Sequence, residues 1–258
     1  MPDRLLKEYQ QMRDFSDTPE PSGKEKRPKL KNPIFVIQKH QASRLHYDFR
    51  LEMEGVLKSW AVPKGPSYDP TVKRLAMMTE DHPYDYAAFE GVIPAGNYGA
   101  GNVIIWDQGT WEFIGPGDDA VKALGGGDLK FRLYGKKMFG EWTLFRIKGR
   151  SPKGNEWLLV KHRDKFANDK IDITEVAPKS VVSQRLLEDV DPRRTWESNR
   201  KSAFQGKGAP TVASKLKATK ASRPPRLSGQ TRAASSPTRS SRAKSPRSAR
   251  PTPRRRPR

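Results

Sequence analysis

The chain has 258 residues, no cysteine and a formal charge of +21. Disulfides, thiolate catalysis and a Cys-ligated zinc site are therefore excluded, and any metal must be held by His and carboxylate. The charge is unevenly placed: residues 201–258 hold 17 Lys or Arg, no Asp or Glu and one aromatic, Phe204, whereas the first 200 residues hold 33 basic and 29 acidic side chains, a balance of +4.

In chain order, 4–12 reads as a short helix leading into a Pro-rich extended arm, so that residues 1–33 form an N-terminal helix and arm. From residue 34 the pattern is mostly β. "FVIQKH", residues 44–53, "GVLKSWAVP" and "RLAMMTE" read as strands, and a long Gly-, Pro- and Tyr-rich loop follows residue 80. "NVIIWD" and "TWEFI" read as a hairpin across "QG", "GDDAVKALGGG" as one short helix ended by glycine, and "DLKFRLYG" with "EWTLFRIKG" as a second hairpin before "EWLLVKH". Many short strands at regular spacing predict an all-β fold, a compact β-barrel with short peripheral helices over residues 34–184. Residues 185–200 read as a peripheral element or linker. Residues 201–258, too poor in apolar side chains to offset the entropy of ordering, read as a disordered basic tail. Blocks of like charge of this kind act as arms on nucleic acid. The N-terminus is too polar for a signal peptide, and no apolar run is long enough to span a bilayer.

The stretch 44–53 has strict alternation: Leu45, Tyr47, Phe49, Leu51 and Met53 fall on one side, and Arg44, His46, Asp48, Arg50 and Glu52 on the other. In a barrel, strands alternate inward and outward positions, so such a polar face can line a pocket instead of meeting bulk water. His46 and Asp48 project in parallel, and His40 on the preceding strand, across the "QASR" turn, is placed to converge on them. Two imidazoles and a carboxylate suit Mn²⁺, Fe²⁺ or Zn²⁺ better than Mg²⁺. A surface strand with solvated histidines fits the same spacing. Arg50 continues the face and offers paired donors to a phosphate. His82 sits in the loop after a strand end, where pocket residues lie, but a lone loop His before Pro reads equally as one without a role, and Tyr86 reads as packing more readily than as chemistry. Two reaction classes use such parts. His46, Asp48 and His82 imitate the facial triad of non-haem iron oxygenases but leave His40 and Arg50 idle, whereas a metal-dependent phosphoesterase employs all of them. A third reading has a non-catalytic barrel, with DNA binding carried by the tail.

Residues 35–67, 80–112 and "RDFSDTPEP" at 13–21 closely resemble the 3′-phosphoesterase domain of bacterial DNA ligase D, with likeness from about Arg13 to about Asp164. The resemblance implies a compact β-barrel that removes a 3′-phosphate, or a terminal 3′-ribonucleoside and then the phosphate, leaving a 3′-OH for a polymerase or ligase during end joining. It implies His40, His46 and Asp48 as Mn²⁺ ligands, or ligands of another divalent transition metal. Arg50 and His82, with Tyr86 beside them, are implied as scissile-phosphate contacts, and Arg13, Asp14 and Glu20 as arm residues needed for activity. It implies DNA 3′ ends on primer-templates as partners, a separate ligase or polymerase as a further one, and a monomer in the bacterial cytoplasm at the nucleoid. Lys-x-Asp-Gly, the nucleotidyl-transfer motif of ATP-dependent ligases, is absent, so Lys64 in "VPKG" is not an adenylation lysine. The chain reads as a stand-alone version with a basic tail.

Overall fold

A computed structural model describes residues 2–24, 32–149 and 152–191. The basic tail and most of the 185–200 element lie outside the described residues. The strands are β1 (Ile34–Gln41), β2 (Leu45–Met53), β3 (Val56–Val62), β4 (Arg74–Met78), β5 (His82–Pro83), β6 (Gly91–Ile93), β7 (Gly101–Phe113), β8 (Asp128–Gly135), β9 (Phe139–Arg146) and β10 (Glu156–Lys161). Eight of them close into an antiparallel barrel in the order β1-β2-β3-β4-β10-β9-β8-β7, with β7 pairing back to β1. Strand β6 extends beyond β7, and β5 adds to β3. The helices are short: α1 (Pro2–Leu5), α2 (Lys7–Gln11), α3 (Ala120–Gly126) and α4 (Ile173–Val176).

Alternation along the strands divides the apolar residues into two clusters. One takes members from all eight barrel strands, including Phe35, Phe49, Trp60, Ala76, Trp106, Phe131, Trp142 and Trp157, and fills the interior. Fully burying a large aliphatic or Phe side chain is worth about 1.5–3 kcal/mol, so this cluster is the main source of the fold's stability. The second lies on the outer face of β1, β3 and β7, where Ile34, Val36, Leu57, Val103 and Ile105 are covered by Tyr9 of α2 and by Tyr84, Tyr86 and Phe89. The polar face of β2 therefore points outward, under a roof made by the N-terminal arm and the segment after residue 80. That segment is more structured than a loop: it holds β5, a 3-10 turn at Tyr84–Ala88, and β6.

The hairpin predicted across Gln108–Gly109 does not exist. Residues 101–113 are one strand paired on both sides, Gly109 with Phe35 of β1 and with Gly135 of β8. The glycine serves close approach, not a turn, since a Cβ there would lie 2.1 Å from the Tyr134 carbonyl oxygen. Gly127, in the left-handed region at φ 84, ends α3, and β8 with β9 forms the second hairpin. Helix 4–12 is interrupted at Leu6 into α1 and α2. Among the described residues no helix is long and apolar enough to cross a membrane.

Candidate active site

Antiparallel register places His40 directly opposite His46, and Gln38 opposite Asp48. The two imidazole rings lie 4.7 Å apart. His40 Nδ1 is 3.4 Å from Asp48 Oδ2, and His46 Nε2 is 3.5 Å from Asp48 Oδ1. One ligand atom from each of the three residues lies within 4.8 Å of the others, a grouping able to hold a metal ion. His82 is not part of it, so the facial-triad combination of His46, Asp48 and His82 does not assemble among the described residues.

The outer nitrogens of both rings are already committed. His40 Nε2 lies 2.8 Å from the Gly99 carbonyl, and His46 Nδ1 lies 2.9 Å from the Arg44 carbonyl. A carbonyl only accepts, so these nitrogens carry the protons, and in the neutral rings the lone pairs of His40 Nδ1 and His46 Nε2 face the carboxylate. Lone pairs aimed at carboxylate oxygens repel unless a proton or a cation lies between them. Backbone-anchored imidazoles around a carboxylate are also the usual outer-shell arrangement of a metal site. The donor set fits a divalent transition metal. Burial alone would push the Asp48 carboxyl up, but the Arg50 guanidinium and the two imidazoles outweigh it and hold the group well below the usual carboxylate range. His46 is raised, because its bond to Asp48 and the carboxylate's charge exceed the burial that opposes them.

Arg50 is 2% exposed. Its Nε donates to Gln38 Oε1 at 2.8 Å, Nη1 to Ser59 Oγ at 2.9 Å and Nη2 to Asp48 Oδ2 at 3.0 Å, and the Tyr86 ring lies 4.9 Å away. A guanidinium has five N–H groups, so among the described residues two remain without a partner, one on each terminal nitrogen and suited to a forked contact with an oxyanion. Gln38 is fully buried and also donates to the carbonyls of Tyr86 and Phe89, at 3.0 and 2.9 Å, tying the roof to the barrel.

The arm enters through α2. Arg13 Nε donates to Glu20 Oε1 at 2.9 Å, its terminal nitrogens lie 3.2 Å from Glu80 Oε1, and its plane covers the Tyr9 ring at 3.8 Å. Glu20 Oε1 also accepts from the Tyr86 hydroxyl at 2.9 Å, and its Oε2 from Thr18 Oγ1 at 3.0 Å. Burial and then Glu20 push the Tyr86 phenol well above its usual value, so it stays a donor. Asp14 stands apart: it is exposed and accepts from Ser16 N and Oγ, shaping the turn before Thr18.

His82 is 4% exposed, with Nδ1 2.9 Å from the Glu80 carbonyl and Nε2 3.3 Å from Arg13 Nη2. Nδ1 donates to the carbonyl, leaving Nε2 to accept from the arginine. Burial, then Arg50 and Arg13, hold its pKa well below the ordinary 6.5. The folded state thus keeps this ring neutral while the unfolded chain binds a proton near 6.5. The resulting stability is present above that pH and lost as pH falls toward the folded value, by up to about 1.4 kcal/mol per pH unit. Thermal midpoints measured from pH 8 downward should fall less steeply for His82→Asn than for wild type; parallel curves would contradict the burial argument.

Sequence reasoning did not select Gln38, Ser59, Glu80, Tyr9 or Gly99. Period two from His40 reaches Gln38, and strand pairing sets Ser59 opposite Arg50, so both were accessible in principle. Glu80 and Gly99 are placed by tertiary contacts alone.

The fold and site together define a β-barrel protein able to hold a divalent metal ion beside a buried arginine. Residues 38–146 match the family model described as the DNA ligase D 3′-phosphoesterase domain. The chain is 53% identical over 185 residues to the multifunctional non-homologous end joining protein LigD of Pseudomonas aeruginosa, covering 70% of this chain and 22% of that protein. The protein of the same name from Mycobacterium bovis is 43% identical over 176 residues, 68% of this chain and 22% of the relative. The LigD protein of Mycolicibacterium smegmatis is 44% identical over 162 residues, 62% and 21% respectively. The chain thus spans about a fifth of the length of these relatives.

Proposed function

We propose that this protein is a Mn²⁺-dependent 3′-phosphoesterase that heals DNA 3′ ends in bacterial end-joining repair. It removes a 3′-phosphate, or a 3′-terminal ribonucleoside followed by the phosphate, and leaves a 3′-OH. The observation that carries this reading is the convergence of His40, His46 and Asp48 within 4.8 Å, with Arg50 3.0 Å from Asp48 on the same strand face.

In this reading His40, His46 and Asp48 hold the metal. When bound, the ion neutralises phosphate charge and lowers the pKa of a coordinated water. Arg50 grips the scissile phosphate through its two uncommitted N–H groups, and Gln38 and Ser59 keep the guanidinium from turning, so little orientation has to be acquired during the reaction. His82 meets the same phosphate through Nε2. A phosphate anion arriving there favours the imidazolium, so the ring changes from acceptor to donor as the substrate seats, and it can pass that proton to the leaving oxygen, the ribonucleoside's 5′ oxygen in the first step and the 3′ oxygen when the phosphate is removed. Tyr86 stacks on Arg50 and binds Glu20. Arg13 and Glu20 hold His82 and Tyr86 in place from the arm, and Asp14 fixes the turn that lets the arm reach them.

The test is a primer-template bearing a 3′-phosphate, incubated with the protein and either Mn²⁺ or EDTA. Metal-dependent conversion to a 3′-OH end is expected, and no conversion in Mn²⁺ would sink the reading.

A further inference from the structure

The turn at 94–100 between β6 and β7 forms a rim of the site, and its backbone is pinned. Asn97 N donates to the Pro94 carbonyl at 3.2 Å and Ala100 N to the Asn97 carbonyl at 3.1 Å. The Asn97 side chain donates to Asp17 of the arm at 2.9 Å. Gly99, at φ +75, turns its carbonyl onto His40 Nε2 at 2.8 Å. Tyr98 sits between these anchors. It is 50% exposed, whereas Tyr9, Tyr47, Tyr68, Tyr84 and Tyr86 are each 9% exposed or less. The other exposed tyrosine, Tyr134, has its hydroxyl on Glu112 at 2.7 Å. The Tyr98 hydroxyl has no hydrogen-bond partner among the described residues.

The ring's surroundings point to a planar ligand. Arg13 Cζ lies 5.5 Å from the Tyr98 centroid, and the same arginine touches His82. Partial burial, then Glu80, raise the phenol against the opposing charge of Arg13. A 3′-phosphate seated there is joined to its base by a single sugar. At a duplex end the outermost base has one bare π-face, and a rigidly mounted half-exposed aromatic matches it.

We propose that Tyr98 is the stacking platform for the base of the 3′-terminal nucleotide. This rests on the phosphoesterase reading of the site. Because every base has a π-face, the platform serves all four bases alike, and its loss costs about 1–3 kcal/mol, or about 5- to 140-fold in binding.

The experiment uses the full chain with Mn²⁺ and 3′-phosphorylated primer-templates whose terminal nucleotide carries a base or is abasic. Tyr98→Ala should raise KM about 5- to 140-fold on the base-bearing substrate with little change in kcat or Mn²⁺ affinity. Tyr98→Phe and Tyr98→Trp should stay near wild type. On the abasic substrate, wild type and Tyr98→Ala should have the same KM. An unchanged KM for Tyr98→Ala with a base present, or an equal penalty without one, overturns the proposal. So does a fall in Mn²⁺ affinity that accounts for the defect, since the residue would then merely support the turn that holds His40. A second readout does not need turnover: fluorescence of 2-aminopurine as the 3′-terminal base should be quenched by wild type and Tyr98→Phe and not by Tyr98→Ala. If wild type stacks the base but releases no phosphate, the phosphoesterase reading fails and the platform stands. If it releases phosphate and the quench is identical in all variants, the reverse holds.

Discussion

Alanine at His40, His46 or Asp48 is expected to leave a folded barrel that no longer turns over a 3′-phosphate. The three side chains lie on the outer face of β1 and β2, while Tyr47, Phe49 and Leu51 on the alternate face remain packed in the interior. Each substitution removes one of three donors clustered within 4.8 Å. Loss of an outer-shell partner alone typically lowers metal affinity or activity about 10- to 100-fold, and loss of a ligand itself should exceed that. Asp48→Ala should also destabilise the fold more than the histidine variants. It leaves Arg50 buried with only the neutral partners Gln38 and Ser59, and breaking a buried pair in this way costs about 3–5 kcal/mol. Metal content after dialysis, phosphate release and thermal unfolding measure the three effects. Wild-type turnover in any of these variants would show that the cluster is not the metal centre.

Arg50→Lys is expected to separate metal binding from phosphate binding. Lysine keeps the charge, but a single ammonium cannot reproduce a planar fork fixed at Nε, Nη1 and Nη2. Removing a preorganised donor from a developing negative charge costs about 10²- to 10³-fold in kcat, and that is the expected loss. Mn²⁺ should stay bound, because the His40, His46 and Asp48 donors are untouched. Loss of Mn²⁺ equal to the loss of turnover would place Arg50 with the ligands instead of the phosphate. Arg50→Ala should lose more turnover than Arg50→Lys, since the charge is removed along with the fork, with Mn²⁺ still held by His40, His46 and Asp48.

Much of this was legible in residues 34–53. Period two assigns β2 and its polar face, and the short 41–44 turn implies that His40 returns close to His46; register sets them opposite each other. What alternation could not say was which side of the barrel the polar face occupies. That is decided by the arm and by Tyr84, Tyr86 and Phe89, whose packing on the outer face depends on residues distant in sequence. The same distance hid Glu80 and the Gly99 carbonyl. Gln108–Gly109 was misread as a turn because a dipeptide carries no information about neighbouring strands: the missing side chain admits the β8 backbone. Asp14 and Glu20 carry similar charge in the same arm. Only the structure separates the exposed turn-former from the buried carboxylate that binds both Arg13 and Tyr86.

The most direct test of the central claim is turnover of a 3′-phosphorylated primer-template plotted against the number of Mn²⁺ ions bound per chain, starting from chelator-stripped protein. Turnover should be negligible at zero occupancy and rise in proportion to occupancy until one ion is bound, with His46→Ala showing neither binding nor turnover over the same range. Full turnover by stripped protein, or normal occupancy in His46→Ala, would contradict the account.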